Sequence, residues 1–405
     1  MKRLIKNNVS WIGHINWEAN RYYDNKLNVL NGSSQNAYLI EEEKTVLIDT
    51  VLSDYKKGFI DTLKDENLLK KIDYIIINHS EKDHSGALPD LLQEIPNTPI
   101  YCTKNAADSL ESQYGKMNWN FNIVKTGDYL DIGNNKKLLF VEMDIRYLPD
   151  SMATYLTGDN ILFSNHLFSQ HYAIEELFDD KANQSQLKKE ALKFYANTFT
   201  PYSKYINESL KLLKALNLKI DMIAPIHGAI WKSNSDKIID LYMDWSEGYK
   251  ENQFTIIYDT MWEGTTRIAR RMANNAKKIS PSTEVKVFNV NKFSEDEIMA
   301  EVFKSKAIAV GSPTVNKDIL SSIDRWLYSL KKLGFKDKKA AAFGCFGWSG
   351  EGTDIIKEKL ENSGFEVVDD SIKVNWNPDK GDFPKAKELI EALLFDSEIE
   401  SEECA

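Results

Sequence analysis

From Phe254 onward, short apolar runs alternate with stretches of helical period, and this rhythm constrains the fold more than any other feature of the chain. Phe254-Thr-Ile-Ile-Tyr258, Glu284-Val-Lys-Val-Phe288, Ala307-Ile-Ala-Val310, Ala340-Ala-Ala-Phe343 and a run near 366–374 read as strands. Helical patterns follow near 265–278, after 288, after 310, after 343 and near 383–397. Five βα units of this kind predict a doubly wound parallel sheet, because parallel neighbours need a helical crossover. The preceding residues have a different texture. Asn36-Ala-Tyr-Leu-Ile40 and Thr45-Val-Leu-Ile-Asp49 flank a charged turn and predict a hairpin. Asp73–Asn78, Pro99–Thr103, Lys137–Glu142 and Thr154–Ser164, broken by Gly158-Asp159-Asn160, predict further strands. Helices are expected near 58–71, 185–197, 202–216 and 233–250, which gives a layered α/β domain. The reading is therefore residues 1–250 as one domain, a polar link at 250–253, 254–397 as a second domain, and 398–405 as an acidic tail.

Size supports two cores, since 405 residues exceed one ordinary domain. A formal net charge of −10 argues against nucleic acid and anionic membrane as partners. No apolar run is long enough for a membrane span, and no signal peptide is read at the N-terminus, so a cytoplasmic location is the default expectation. The three cysteines, Cys102, Cys345 and Cys404, form no CxxC pair. That excludes a self-contained rubredoxin or iron–sulfur module within these residues.

Directly after the Asp73–Asn78 strand come His79, Glu81, Asp83 and His84. Imidazole and carboxylate together suit iron, manganese or zinc. Four ligand-type side chains in six residues, at the carboxyl end of a buried strand, suffice for two metals. A solvated polar loop is the bland alternative.

In the second domain, Asp259-Thr260-Met261-Trp262-Glu263-Gly264-Thr265-Thr266 follows the first strand and opens a helix. Hydroxyls and free amides at a helix N-terminus form an anion cradle, and the lack of a lysine fits a single phosphate. Ser312-Pro313-Thr314-Val315-Asn316 and Gly344-Cys345-Phe346-Gly347-Trp348-Ser349-Gly350 follow two later strands. Doubly wound sheets bind ligands at these strand ends. Three such loops together point to a ligand with one phosphate and a ring on which Trp348 or Phe346 packs.

H-x-E-x-D-H after an apolar strand resembles the metallo-β-lactamase-like fold in its flavodiiron form. Leu148-Pro-Asp-Ser-Met152, Leu162-Phe-Ser-Asn-His166 and Ala224-Pro-Ile-His227 resemble the later ligand segments of that family. The loop Thr260, Met261, Trp262, Gly264 and Thr265 resembles its flavodoxin phosphate loop, with Glu263 where glycine is frequent. The resemblance implies an αββα sandwich followed by a flavodoxin-like domain, FMN, and two irons (zinc or manganese being the alternatives). Two positions depart from the family: Tyr147 stands in place of a ligand histidine, and His166 in place of a bridging aspartate. The expected ligand sets become His79/Glu81/His166 and Asp83/His84/His227, joined by water or hydroxide. Tyr23 and Tyr195 correspond to pocket positions that donate hydrogen bonds, with a packed aromatic as the alternative for each. His171 is read as structural or supporting, and His14 as surface or core.

The implied activity is reduction of dioxygen to water or of nitric oxide to nitrous oxide. The implied electron donor is separate, a rubredoxin or flavin reductase. The implied assembly is a head-to-tail homodimer or a dimer of dimers. Two rivals remain: an FMN electron carrier or gas-binding protein with a modified metal site, and a zinc hydrolase.

Overall fold

The computed structural model describes all residues except 1, 23–26, 144, 146–147, 369–370, 377, 379–382 and 396–405, and also leaves the side chains of 21, 22 and 383–385 undescribed. The chain forms two compact units, Met1–Phe194 with Tyr202–Ser246, and Tyr195–Pro201 with Glu247–Ala405. The grouping of Tyr195–Pro201 with the second unit has no signature in the hydrophobic pattern, which runs on through the helix Gln184–Thr198.

In the first unit, a seven-stranded sheet has the order Arg3–Lys6, Val9–Trp11, Tyr38–Glu41, Thr45–Ile48, Ile72–Ile76, Ile100–Cys102, Phe121–Ile123. A five-stranded sheet runs Tyr129–Gly133, Lys136–Glu142, Met152–Leu156, Ile161–Asn165, Met222–Pro225. The expected hairpin forms, with Tyr38 opposite Ile48 and Glu41 opposite Thr45. Period-two alternation assigns the faces. Ile40, Ile48 and Ile76 join Phe140, Met152, Leu156 and Phe163 in the core between the sheets. Leu39, Leu47 and Ile75 point the other way and pack on Phe59, Leu63, Leu91 and Leu110 of three helices.

In the second unit every strand pair is parallel. The order is Glu284–Asn289, Glu251–Tyr258, Ser305–Gly311, Lys339–Phe346, then Glu366–Val367 and Ile372–Asn375, both against Lys339–Phe346. The expected run at 366–374 is thus two strands. One face buries Phe254, Ile256, Ala309 and Phe343 under the helices Gly264–Ile279 and Phe383–Leu394. The small alanines let those helices approach the sheet closely. The polar link expected at 250–253 is largely strand, because pairing begins at Glu251 opposite Ser305. Gln253 is buried there, and its amide donates to Glu301 O at 3.0 Å and Thr255 Oγ1 at 3.1 Å. Polarity alone therefore misplaced the start of this strand.

Candidate metal centre and flavin cradle

The strand Ile72–Ile76 delivers His79 to the end of the sheet, and a single helical turn, Lys82–Ser85, carries Asp83 and His84 inward. Asn78 pins this junction. Its backbone and side-chain nitrogens donate to Asp49 at 2.8 and 2.9 Å, and its Oδ1 accepts from Thr154 Oγ1 at 2.7 Å.

His79 and His227 each have one ring nitrogen hydrogen-bonded and the other turned toward the cluster, and His84 turns its Nε2 the same way with Asp49 near its Nδ1. His79 Nδ1 donates to Asp150 at 2.9 Å, and its Nε2 lies 3.4 Å from Glu81. His84 Nδ1 lies 3.2 Å from Asp49, and its Nε2 lies 3.4 Å from His166 Nε2. His227 Nδ1 donates to Ser34 O at 2.8 Å, and its Nε2 is 3.0 Å from Asp83. A carboxylate or carbonyl behind a histidine fixes the tautomer that offers Nε2 to a metal. These rings are buried, and the buried His79 Nε2 has no hydrogen-bond partner. A buried nitrogen of this kind is costly unless something binds it. The donor set therefore fits divalent metal.

The electrostatics fit metal binding at Asp83 and His166, whereas His79 must first release a proton. Burial acts to lower His79, but the Asp150 and Glu81 carboxylates prevail and raise it to about 10. Burial acts to raise Asp83, but the adjoining His84, His166 and His227 hold it well below the usual carboxylate range. His166 is lowered well below an ordinary histidine, first by burial, against the raising effect of Asp83. A neutral imidazole beside ionised carboxylates is the ligand-competent state.

Two groups of ligand atoms converge within 4.8 Å: His79, Glu81 and His166, and Asp83, His166 and His227. The first set matches the sequence expectation. The second contains His166 where His84 was expected, because His84 meets the cluster through His166. Asp49, Asp150 and Ser34 were not read as functional. Their signal was weak, since each meets the cluster through residues distant in sequence. Tyr23 and Tyr147 lie outside the described residues. Tyr195 is fully buried with its ring against Phe199 and Phe303. His171 supports from behind: its Nδ1 is 2.8 Å from Ser33 Oγ and its ring is 5.1 Å from that of His227. His14 stacks on Tyr55.

In the second unit a cavity of about 830 Å³ opens at the carboxyl ends of three adjacent strands. Met261, Trp262, Gly264, Pro313, Thr314, Val315, Asn316, Cys345, Phe346, Gly347, Trp348 and Ser349 line it, together with Arg267, Lys317 and Trp376, which sequence reasoning missed. The other expected residues support the loops. Ser312 Oγ accepts from Leu320 N at 3.0 Å, and a Cβ on Gly344 would lie 2.1 Å from Ser312 O. A Cβ on Gly350 would press on the Phe346 ring at 3.2 Å. Thr265 Oγ1 is 3.5 Å from Cys345 Sγ. The hydroxyls of Thr260 and Thr266 are buried without a hydrogen-bond partner at the start of the helix Gly264–Ile279. Orphaned hydroxyls at a helix N-terminus, with Arg267 and Lys317 on the wall, fit a phosphate monoester.

A histidine–carboxylate metal site in one domain and an FMN-shaped cradle in a flavodoxin-like domain define a flavin- and metal-dependent oxidoreductase. The ODP family beta lactamase model matches residues 33–228, and the Flavodoxin model matches residues 256–389. The anaerobic nitric oxide reductase flavorubredoxin of Citrobacter koseri is 44% identical over 379 residues, 94% of this chain and 78% of that one. The flavorubredoxin of Aliivibrio fischeri is 46% identical over 375 residues, 93% and 75% of the two chains. Rubredoxin oxygen:oxidoreductase of Desulfovibrio gigas superposes with a TM-score of 0.92 at 30% identity, over 97% of this chain and 98% of that one. The flavodiiron protein of Giardia intestinalis does so with 0.91 at 27% identity, over 97% and 96%. The chain belongs to the flavodiiron protein family.

Proposed function

We propose that this protein is an FMN- and iron-dependent reductase that converts nitric oxide to nitrous oxide, with dioxygen reduction to water as the related activity. The observation that carries the reading is the double histidine–carboxylate cluster in a chain that also carries the flavin cradle. Relatives named nitric oxide reductase and oxygen oxidoreductase support the substrate class. Bound FMN supplies electrons that can be passed on singly.

The chain's own residues set the conditions for this chemistry. Asp150 and the Ser34 carbonyl hold two imidazoles in the metal-binding tautomer, and Asp49 lies beside a third. Glu81, 40% exposed at its side chain, marks the open side by which a small gas enters an otherwise buried cluster. Thr260 and Thr266 hold the FMN phosphate, and Arg267 and Lys317 oppose its charge.

A separate donor such as a rubredoxin or flavin reductase, a cytoplasmic location and a head-to-tail homodimer complete the proposal. Trp262 and Trp348, 81% and 91% exposed at the cavity, are the kind of apolar surface a second subunit covers. Among the described residues no helix is long and apolar enough to cross a membrane. The flavin cradle disfavours a hydrolase, since hydrolysis transfers no electrons. His166 between the ligand groups favours, as the second reading, an electron carrier or gas-binding protein with a modified metal site. Anaerobic mixing of the reduced protein with nitric oxide tests the proposal. Flavin reoxidation at 450 nm coupled to nitrous oxide release is expected. Reoxidation at an unchanged rate after metal removal would favour the carrier.

A further inference from the structure

The two ligand groups draw on one and the same side chain. His166 belongs to both, and its Nε2 lies 3.8 Å from Glu81 on one side and 3.7 Å from Asp83 on the other. These near-equal distances commit the ring to neither group. A neutral imidazole nitrogen has one lone pair and serves one cation, whereas a carboxylate has two oxygens and can serve two. The ring thus occupies the place of a bridge without being able to act as one.

His84 sharpens the asymmetry. Its Nε2 lies 3.4 Å from that of His166, with Asp49 behind it. Two ligands on one tetrahedral ion with bonds of 2.0–2.1 Å are separated by about 3.4 Å, so His84 and His166 are spaced to share an ion. His84 belongs to neither three-residue group, so it reaches an ion only alongside His166.

Resting on the two-metal reading above, we propose that this centre fills in order: the first divalent ion takes His166 and binds tightly, and the second, left without that ligand, binds at least about tenfold more weakly. Repulsion between two dications that lack a shared anionic side chain at this position acts in the same direction.

The test uses full-length protein, loaded with FMN, stripped of metal by chelation and titrated anaerobically with cobalt(II). Calorimetry gives the affinities, and elemental analysis after desalting gives the retained metal. The wild type is expected to show two unequal phases and to retain about one cobalt per chain, whereas His166→Asp retains about two. Two equal tight phases in the wild type would overturn the ordered filling while leaving the two-metal reading intact. One retained ion in both proteins would show that His166 is not the cause. No retained metal in either would overturn the two-metal reading itself. His166→Ala, checked for folding by circular dichroism, provides a second arm: it is expected to lose the tight phase, and persistence of that phase would overturn the inference.

Discussion

His79 Nδ1 lies 2.9 Å from both carboxylate oxygens of Asp150, and one of those oxygens also accepts from Ser80 N at 2.8 Å. Both side chains are buried, so this contact joins the first ligand segment to the Leu148–Met152 segment, 71 residues further along the chain. The pair sets both the direction of the His79 ring and its charge.

Replacing the orienting carboxylate should loosen the metal without removing a ligand. Asp150→Asn is expected to weaken binding of the ion that uses His79 by about 10- to 100-fold. Calorimetric titration with cobalt(II) checks this, and an unchanged affinity would show that Asp150 serves folding alone.

The same pair predicts a pH dependence of stability in the metal-free protein. Burial opposes the charged ring, but the Asp150 and Glu81 carboxylates raise His79 from 6.5 to about 10. The folded state therefore holds a proton that the unfolded chain releases, so this stabilisation is complete below about pH 6.5 and is lost as pH rises to about 10. Thermal midpoints of metal-free wild type should fall across that window more steeply than those of Asp150→Asn. In the metal-loaded protein this fall should vanish, because metal takes the deprotonated ring.

Gly264 is where the cradle tolerates no side chain. A Cβ there would lie 2.8 Å from Cys345 Sγ and 3.1 Å from the Trp376 carbonyl. Gly264→Ala should weaken FMN binding at least about tenfold while leaving cobalt(II) binding unchanged, since it alters no residue of the two metal-ligand groups. Quenching of flavin fluorescence reads the first effect and calorimetry the second.

Glu263 sits in the left-handed region at φ 62° directly before the helix Gly264–Ile279. A non-glycine residue there costs roughly 1–2 kcal/mol, partly offset by the greater freedom glycine has when unfolded. Its carboxylate also opposes a phosphate at the same helix end. Glu263→Gly is expected to raise the melting temperature slightly and to tighten FMN binding, more so at low salt.

The cysteines should differ in reactivity. Burial, with a smaller push from Asp150, raises the Cys102 thiol to about 12, whereas Cys345 lines the flavin cavity. Iodoacetamide is expected to label Cys345 in FMN-free protein, to be blocked there by FMN, and to spare Cys102 in both states. Peptide mass spectrometry checks the pattern.

Local sequence determined the elements and the ligand types. Alternating apolar residues fixed the hairpin of Tyr38–Glu41 with Thr45–Ile48, and the βα rhythm fixed the parallel sheet, because period and crossover length are properties of neighbouring residues. The H-x-E-x-D-H run and the three flavin loops were legible for the same reason. Only the tertiary structure decided what depends on distance through space. Asp150 and Ser34 became orienting partners, Asp49 came to lie beside His84, Trp376 and Arg267 entered the flavin wall, and the Tyr195 ring came to lie against Phe199 and Phe303. Above all, folding decided that His166 stands between both ligand groups. A sequence names the atoms that can hold a metal, but how many groups must share one lone pair is settled by where the chain brings those atoms together.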